Sequence, residues 1–139
     1  MRSTGPSRRP GVLLVDDEPT FRAQLRQILG DYGVAVVGEA GSGAEGMELA
    51  ARLRPDVVLM DLRMRELDGI TATRLLLQRL PGTAVVILSA YDDQALRTEA
   101  ERAGASAYLV KGCPASQVVE VIEAVAGVAG VRAEPLPDG

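Results

Sequence analysis

The 139-residue sequence has no histidine, no tryptophan, and only one residue each of cysteine, phenylalanine and lysine. Without histidine, and with Cys113 as the lone thiol, the usual ligand sets of zinc sites are excluded. A lone cysteine also excludes an internal disulfide framework, which fits a reducing cytoplasm. Any metal bound by this chain is therefore expected to be a hard cation held by oxygen atoms.

Positive charge is scarce outside the first ten residues. Those ten hold three of the fifteen Lys and Arg side chains and none of the nineteen acidic ones, so the remainder has a net charge of −7. Nucleic-acid binding needs clustered basic side chains and aromatic rings for stacking, so we expect no direct nucleic-acid contact by this chain. No apolar stretch approaches the roughly 18 residues that a membrane span needs, and no signal-peptide core is evident, so no membrane contact is expected.

What the chain does contain is a regular alternation of short β-branched apolar runs and longer amphipathic stretches. This pattern predicts an α/β fold in which βα units surround a parallel sheet. We expect strands near 11–16, 34–38, 56–61, 84–89 and 106–110, and helices near 18–30, 43–53, 69–79, 92–103 and 115–127.

The length indicates a single domain. Residues 1–10 are polar and basic and are expected to form a disordered arm, 11–129 the folded domain, and 130–139 a Pro/Gly-rich tail or linker. Gly30, Gly82 and Gly104 are expected just past helix ends, where glycine is favoured.

Four of the apolar runs end on a side chain that can bind a metal or a phosphoryl group. The runs lead into Asp16-Asp17, Asp61, Ser89 and Lys111, and Lys111 is the only lysine in the sequence. Because the carboxyl ends of parallel strands share one edge of a sheet, these side chains are expected to lie together. The group suits a carboxylate that becomes phosphorylated, with Asp61 as nucleophile and Asp16 and Asp17 holding Mg²⁺. Lys111 and Ser89 would then bind the phosphoryl oxygens.

Each of these residues also has an ordinary structural interpretation. Asp16 or Asp17 could cap the first helix, Asp61 could be a solvated strand end, Ser89 a turn former and Lys111 an exposed loop charge. The coincidence of four strand ends favours the phosphoryl and metal site over four separate structural roles.

Gly41-Ser42-Gly43-Ala44-Glu45-Gly46 is a literal G-x-G-x-x-G, with Asp61 at about the distance at which a dinucleotide site places its acidic residue. Two residues, Glu39 and Ala40, are expected to separate the strand from the first glycine, where that motif needs a tight turn. A dinucleotide site would also leave the four strand ends without a role. A turn leading into the second helix is the better interpretation.

The final helix has a wide apolar stripe. Val118, Ile122, Val125 and Ala129 form its centre, and Val119, Ala126, Val121 and Val128 flank it. A stripe this wide leaves two interpretations open: a helix tucked under its neighbours, or a surface for a homodimer or another partner.

Four segments resemble the signature of the response regulator receiver domain of two-component signalling, in its NarL/FixJ type. They are VLLVDDE, DVVLMDLRM followed by ELDG, VVILSAYDD and AGASAYLVK. The resemblance covers essentially all of 11–129. It implies a flavodoxin-like, doubly wound five-stranded parallel sheet in the order 2-1-3-4-5, flanked by five helices.

The resemblance also implies a role for each site residue. Asp61 would be the phosphoacceptor, and Asp16, Asp17, Asp61 and the backbone carbonyl of Arg63 the Mg²⁺ ligands. Ser89 and Lys111 would contact the phosphoryl group. Tyr108 would be the aromatic side chain that reports movement of Ser89 to the surface of the fourth and fifth helices.

The implied function is a cytoplasmic switch with weak autodephosphorylation rather than a metabolic enzyme. Its phosphoryl donor would be a histidine kinase, and its output a change in homodimer or partner contacts. Transcription would be controlled through a partner or through a C-terminal DNA-binding output domain outside this chain. The alternative is a module that dimerises independently of phosphorylation.

Two positions depart from the family pattern. Arg65 stands where the family usually has proline, and is expected to add a charge and loosen its loop. Gly112 follows Lys111, where many members have a proline, so a cis bond is less expected here.

Overall fold

The computed structural model describes residues 9–133, with side chains described as far as residue 127. Strands and helices alternate along the chain. The strands are β1 (Gly11–Val15), β2 (Ala35–Ala40), β3 (Val57–Asp61), β4 (Ala84–Ser89) and β5 (Ala107–Val110). The helices are α1 (Pro19–Asp31), α2 (Gly43–Leu53), α3 (Gly69–Arg79), α4 (Gln94–Ala103) and α5 (Ala115–Ala133).

The five strands form one parallel sheet in the order β2-β1-β3-β4-β5, as the resemblance implied. All five residues of β3 and all six of β4 are buried, because helices cover both faces of the sheet. This covering explains why these strands are apolar on consecutive positions instead of alternating with polar residues.

Side chains of a strand point alternately to the two faces, so each strand contributes to two cores. Val12 and Leu14 pack on the face that contacts α1 and α5. Leu13 and Val15 pack on the opposite face, against α2, α3 and α4. The sheet therefore lies between two apolar layers, and its carboxyl edge is left for polar groups.

Most boundaries fall within two residues of those expected, and the exceptions have local causes. The prediction for Gly30 is wrong, because α1 continues to Asp31 and the chain turns at Gly33, whose φ is +81°. Gly82 does lie past the end of α3 at Arg79, but it is not the residue directly after the cap, because Leu80 is the cap and Pro81 follows it. Gly104 follows α4 with a φ of +107°, as expected.

The second strand is longer than expected. Glu39 and Ala40 pair with Leu14 and Val15, so β2 continues to Ala40 and Gly41 follows it directly. The two-residue separation used against a dinucleotide site is therefore wrong. Another observation weighs against such a site: the Gly41 N–H donates to Glu45 Oε1, and the Glu45 N–H donates to Ser42 Oγ. Two of the N–H groups of this segment therefore already have partners within the turn.

The last helix also extends beyond the expected end, through 130 to Ala133, because no proline interrupts it before Pro135. The rest of the expected tail and residues 1–8 of the expected arm lie outside the described residues.

Among the described side chains of α5, the wide apolar stripe belongs mostly to the core. Val118, Val119 and Ile122 are buried, and Val121, Val125 and Ala126 pack against the same cluster. These contacts favour the tucked helix over the partner surface.

In the part of the chain that the structure describes, no helix combines the length and apolarity needed to cross a membrane.

Candidate functional site

The carboxyl edge of the sheet brings together three of the strand ends named above. Lys111, which directly follows β5, places its Nζ 3.0 Å from Asp16 Oδ2 and 3.2 Å from Asp61 Oδ1. Carboxylate oxygens of Asp16, Asp17 and Asp61 all lie within 4.8 Å of one another. Four of the residues that the sequence grouped only by pattern are therefore one cluster in space: Asp16, Asp17, Asp61 and Lys111.

This acidic cluster forms one side of a cleft of about 220 Å³. Asp16 is 5% exposed and Asp61 7% exposed, although both are carboxylates. The cleft is lined by Asp16, Asp17, Glu18, Asp61, Arg63, Ala90, Tyr91 and Lys111. Its volume can hold a phosphoryl group with bound water, and six of these eight lining residues are charged.

Asp16 is held in place by hydrogen bonds from both its backbone and its carboxylate. Its N–H donates to the Ala40 carbonyl, its Oδ1 accepts from the Glu18 N–H, and its carbonyl accepts from Arg22 Nη1 at 2.6 Å. The N-cap position of α1 is occupied by Glu18, with no capping bond from its side chain. Neither Asp16 nor Asp17 is therefore the cap of this helix, although Asp16 Oδ1 accepts from the N–H of the cap residue.

Electrostatics make Asp61 the unusual member of the cluster. Burial, followed by the negative charges of Asp16 and Asp17, raises the pKa of Asp61 from 3.8 to about 6, against the opposing effect of Lys111. Burial alone would lower the pKa of Lys111, but its hydrogen bond to Asp16 and the charge of Asp61 raise it on balance. The cluster is thus more negative than one ammonium group can compensate.

Such a donor set fits a hard divalent cation. It consists of oxygen atoms on three converging carboxylates, and its surplus negative charge is what a dication would neutralise. Asp17 is the most accessible member, with 27% of its side chain exposed.

Ser89 and Tyr108 are not part of the cleft lining. Ser89 is fully buried, and its Oγ accepts a hydrogen bond from the Tyr91 N–H at 3.0 Å. The Tyr108 hydroxyl donates to the Tyr91 carbonyl at 2.7 Å, and the Arg97 guanidinium lies over its ring at 4.7 Å. Both residues therefore connect to the cleft through Tyr91.

Sequence reasoning missed Tyr91. Besides these two bonds, its ring is stacked by the Arg63 guanidinium, 4.8 Å from the centroid. One residue thus joins the strand end at Ser89, the tyrosine of β5 and the loop after β3. The available signal was its place two residues beyond Ser89, in the segment that follows a buried strand.

The two departures from the family pattern lie beside the cleft. Arg65 is 88% exposed and its Nε lies 4.0 Å from Asp17 Oδ2, so its extra charge reaches the edge of the acidic cluster. The next residue, Glu66, has a φ of +66°, and the Leu67 N–H closes a tight turn onto the Arg65 carbonyl. Gly112 has a φ of +99°, and the described residues contain no cis peptide bond.

Comparisons with known proteins agree with this geometry. The model of the response regulator receiver domain family matches residues 12–123. Transcriptional regulatory protein DegU of Brevibacillus brevis is 37% identical over 115 residues, which are 81% of this chain and 48% of that protein. Chemotaxis protein CheY of Thermotoga maritima is 39% identical over 111 residues, which are 80% of this chain and 92% of that protein.

Solved structures show the same fold. A two-component response regulator of the LuxR family from Aurantimonas sp. SI85-9A1 superimposes with a TM-score of 0.83 at 33% identity, covering 87% of each chain. The chain spans about half the length of several curated relatives, DegU among them. Sequence, sheet order and the clustered strand ends lead to one conclusion: this chain belongs to the receiver domain family of two-component response regulators.

Proposed function

We propose that this chain is a Mg²⁺-dependent phosphoacceptor switch in which a histidine kinase transfers a phosphoryl group to Asp61. The observation that carries the proposal is the pairing of Asp61 Oδ1 with Lys111 Nζ at 3.2 Å, beside Asp16 and Asp17 and at an open cleft. A nucleophilic carboxylate, a fixed ammonium group and two further carboxylates are the groups that this chemistry needs.

Asp16, Asp17, Asp61 and the backbone carbonyl of Arg63 would hold Mg²⁺. When bound, the cation offsets the charge that gathers on the attacking carboxylate and the phosphoryl oxygens. In the transfer, a carboxylate oxygen of Asp61 forms a bond to phosphorus while the bond from phosphorus to the donor's imidazole nitrogen breaks. The electron pair stays on that nitrogen, and Lys111 and Ser89 bind the phosphoryl oxygens. Slow attack of water on the phosphorus of the acyl phosphate would reset the switch.

The output would be a population shift in the loop after β4. Ser89 and Tyr108 are both hydrogen-bonded to Tyr91, so movement of Ser89 toward the phosphoryl group would disturb both bonds. Since Tyr108 also contacts Arg97 of α4, the change would reach the surface of α4 and β5. The affected contacts would be those of a homodimer or of another partner.

We place this switch in the cytoplasm, in control of transcription through a partner or through a DNA-binding output domain. The curated relatives named as transcriptional regulators support that setting, and the chain matches about half of their length.

Incubation of the protein with acetyl phosphate and Mg²⁺, followed by intact-mass spectrometry, tests the proposal. We expect one added phosphoryl group on the wild-type chain, none with EDTA, and none on Asp61→Asn. A conservative control is Asp31→Asn, at the far end of α1, which should be labelled like the wild type. Labelling of Asp61→Asn at the wild-type level would refute Asp61 as the acceptor.

The alternative, dimerisation independent of phosphorylation, is distinguished by light scattering with and without the phosphodonor. An equal dimer fraction in both conditions would favour it. The described part of α5 gives it little support, because the apolar residues of the stripe pack within the chain.

A further inference from the structure

The single phenylalanine of the chain lies against its single lysine. Lys111 Nζ is 4.3 Å from the centroid of the Phe21 ring, in addition to its bonds to Asp16 and Asp61. An ammonium group at this distance over a ring face is attracted by the ring's quadrupole, and the attraction is stronger where water is excluded. The Lys111 side chain is only 19% exposed, so the contact is largely shielded from solvent.

The position of the ring is set by α1 rather than by the cleft. Phe21, Leu25 and Leu29 are spaced four residues apart and therefore share one face of the helix. Leu25 and Leu29 are buried in the core between the sheet and α1 and α5, and Phe21 packs against that core. The ring thus reaches Lys111 from a rigid element, whereas the lysine stem has four rotatable bonds.

The three partners of the ammonium group differ in what happens to them during the proposed reaction. Asp16 and Asp61 would turn toward a cation, and Asp61 would lose its negative oxygen to an acyl phosphate. The Phe21 ring takes no part in either event. Of the contacts given for Lys111 Nζ, it is the one whose partner the proposed reaction leaves chemically unchanged.

We propose that Phe21 is a positioning residue, which holds the Lys111 ammonium group beside the acidic cluster when a cation takes its carboxylate partners and before the phosphoryl group arrives. The effect of this role on phosphorylation rests on the proposed function. The contact between Phe21 and Lys111 does not depend on it. Loss of the ring would leave Lys111 free to follow solvent once a cation holds the carboxylates, and the phosphoryl group would then be transferred with less electrostatic help.

Because the chain has one lysine and one phenylalanine, labelling these two residue types gives one set of NMR signals for each. We expect a nuclear Overhauser effect between the Phe21 ring and the Lys111 ε-protons, and an upfield ring-current shift of those protons. Both the Overhauser effect and the ring-current shift should remain at saturating Mg²⁺. In Phe21→Leu the shift should vanish, and Mg²⁺ should bring the lysine signal close to that of a free side chain.

Kinetics provide the second measurement, with acetyl phosphate at saturating Mg²⁺. For Phe21→Leu we expect the maximal phosphorylation rate to fall about threefold to tenfold, the range that a shielded cation–π contact covers. The Mg²⁺ concentration for half-saturation should change less than about twofold, because the metal ligands are untouched. Phe21→Tyr keeps a ring and should restore most of the rate.

Ile28→Ala is the matched control. Ile28 lines the same hollow of about 160 Å³ as Phe21 and the Lys111 stem, but it is aliphatic and 37% exposed. Its variant should keep the wild-type rate and lysine shift. An equal loss of rate in Ile28→Ala and Phe21→Leu would show general packing instead of positioning, and would overturn the proposal.

The two proposals fail in different ways. If the wild type takes no phosphoryl group, the proposed function fails, and the NMR contact still decides the role of Phe21. If the wild type is phosphorylated but the ring contact is absent at saturating Mg²⁺, or Phe21→Leu reacts at the wild-type rate, only the positioning role is refuted.

Discussion

Asp61 shows at the scale of one residue how burial and neighbouring charge raise the pKa of a carboxyl group. Its carboxylate is 7% exposed, and its strongest stabilising partner in the structure is the single ammonium group of Lys111. The negative charges of Asp16 and Asp17 oppose its ionisation. The folded protein therefore carries an electrostatic cost at this position, and a cation or the loss of the charge would relieve it.

The first prediction concerns the pH dependence of stability without metal. The pKa of Asp61 is raised from 3.8 to about 6, so between these values the folded state keeps a proton that the unfolded state has lost. The free energy of unfolding of the wild type should therefore fall, relative to Asp61→Asn, as pH rises through this window, and level off above it. We expect a total difference of about 1 to 2 kcal/mol, after allowing for solvent screening of a cleft residue.

Urea denaturation in EDTA at pH 3.5, 5, 6 and 7.5 measures this difference. A constant offset between the two proteins across that range would contradict the raised pKa. If the wild type instead gained stability relative to Asp61→Asn as pH rises, the ion pair with Lys111 would outweigh burial and the repulsion from Asp16 and Asp17.

The second prediction concerns metal addition. If Mg²⁺ binds the cluster with a Kd of about 1 mM, then about 10 mM of the cation should stabilise the wild type by about 1.4 kcal/mol through mass action. Asp17→Asn removes an accessible carboxylate at the edge of the cluster and should lose most of this gain. Thermal melts with Mg²⁺ or EDTA provide the measurement, and Asp31→Asn should respond as the wild type does. A full response in Asp17→Asn would remove Asp17 from the ligand set.

At the scale of elements, the junction of β3 and α3 shows why the site depends on close backbone packing. A Cβ atom added at Gly69, the first residue of α3, would lie 2.1 Å from the Asp61 carbonyl oxygen and 2.9 Å from the Leu62 Cα. The Gly69 N–H also donates to the Leu62 carbonyl. The helix therefore begins against the backbone of Asp61, at a distance that only glycine permits.

The third prediction follows from this contact. Gly69→Ala should destabilise the protein by about 3 kcal/mol, because backbone atoms cannot move aside as a flexible side chain can. Gly127→Ala is the control: nothing lies within 4 Å of its added Cβ, and the change should stabilise α5 by up to about 1 kcal/mol. Urea denaturation monitored by circular dichroism tests both variants. Equal stability of Gly69→Ala and the wild type would show that the junction can open without cost.

At the scale of the whole molecule, one sheet connects two cores. Ile122 of α5 is fully buried in the layer shared with α1, whereas Tyr108 packs against the layer of α2, α3 and α4. Because β1, β3 and β4 contribute to both layers, loss of packing on one face should destabilise the other face as well.

The fourth prediction tests this coupling. Ile122→Ala should lower the free energy of unfolding by about 3 kcal/mol through lost burial and the cavity left behind. Urea curves from far-ultraviolet circular dichroism and from tyrosine fluorescence should shift together. A tyrosine transition that stays at the wild-type urea concentration while the helical signal shifts would indicate two independently unfolding layers.

The pattern of apolar runs was sufficient to predict the parallel sheet, the helices and the meeting of three of the four strand ends. Runs such as Val57 to Met60 are apolar at every position, which indicates a strand covered on both faces, and Asp61 follows at the point where that strand leaves the core. The expected end of β2 was wrong because tertiary contacts set this boundary. Glu39 belongs to β2 because it pairs with Leu14, and its side chain binds Arg22 of α1. Neither contact has a local signal in the sequence.

By itself, the sequence determined which chemical groups stand at the strand ends, because hydrophobic periodicity is a local property and the carboxyl edge of a parallel sheet follows from it. Only the tertiary structure decided which neighbours those groups have. Phe21 lies over Lys111, Tyr91 joins Ser89 to Tyr108, and the described side chains of the α5 stripe pack on the core. Such contacts join residues far apart in the chain, and their distances depend on how the helices pack on the sheet, which no local pattern encodes.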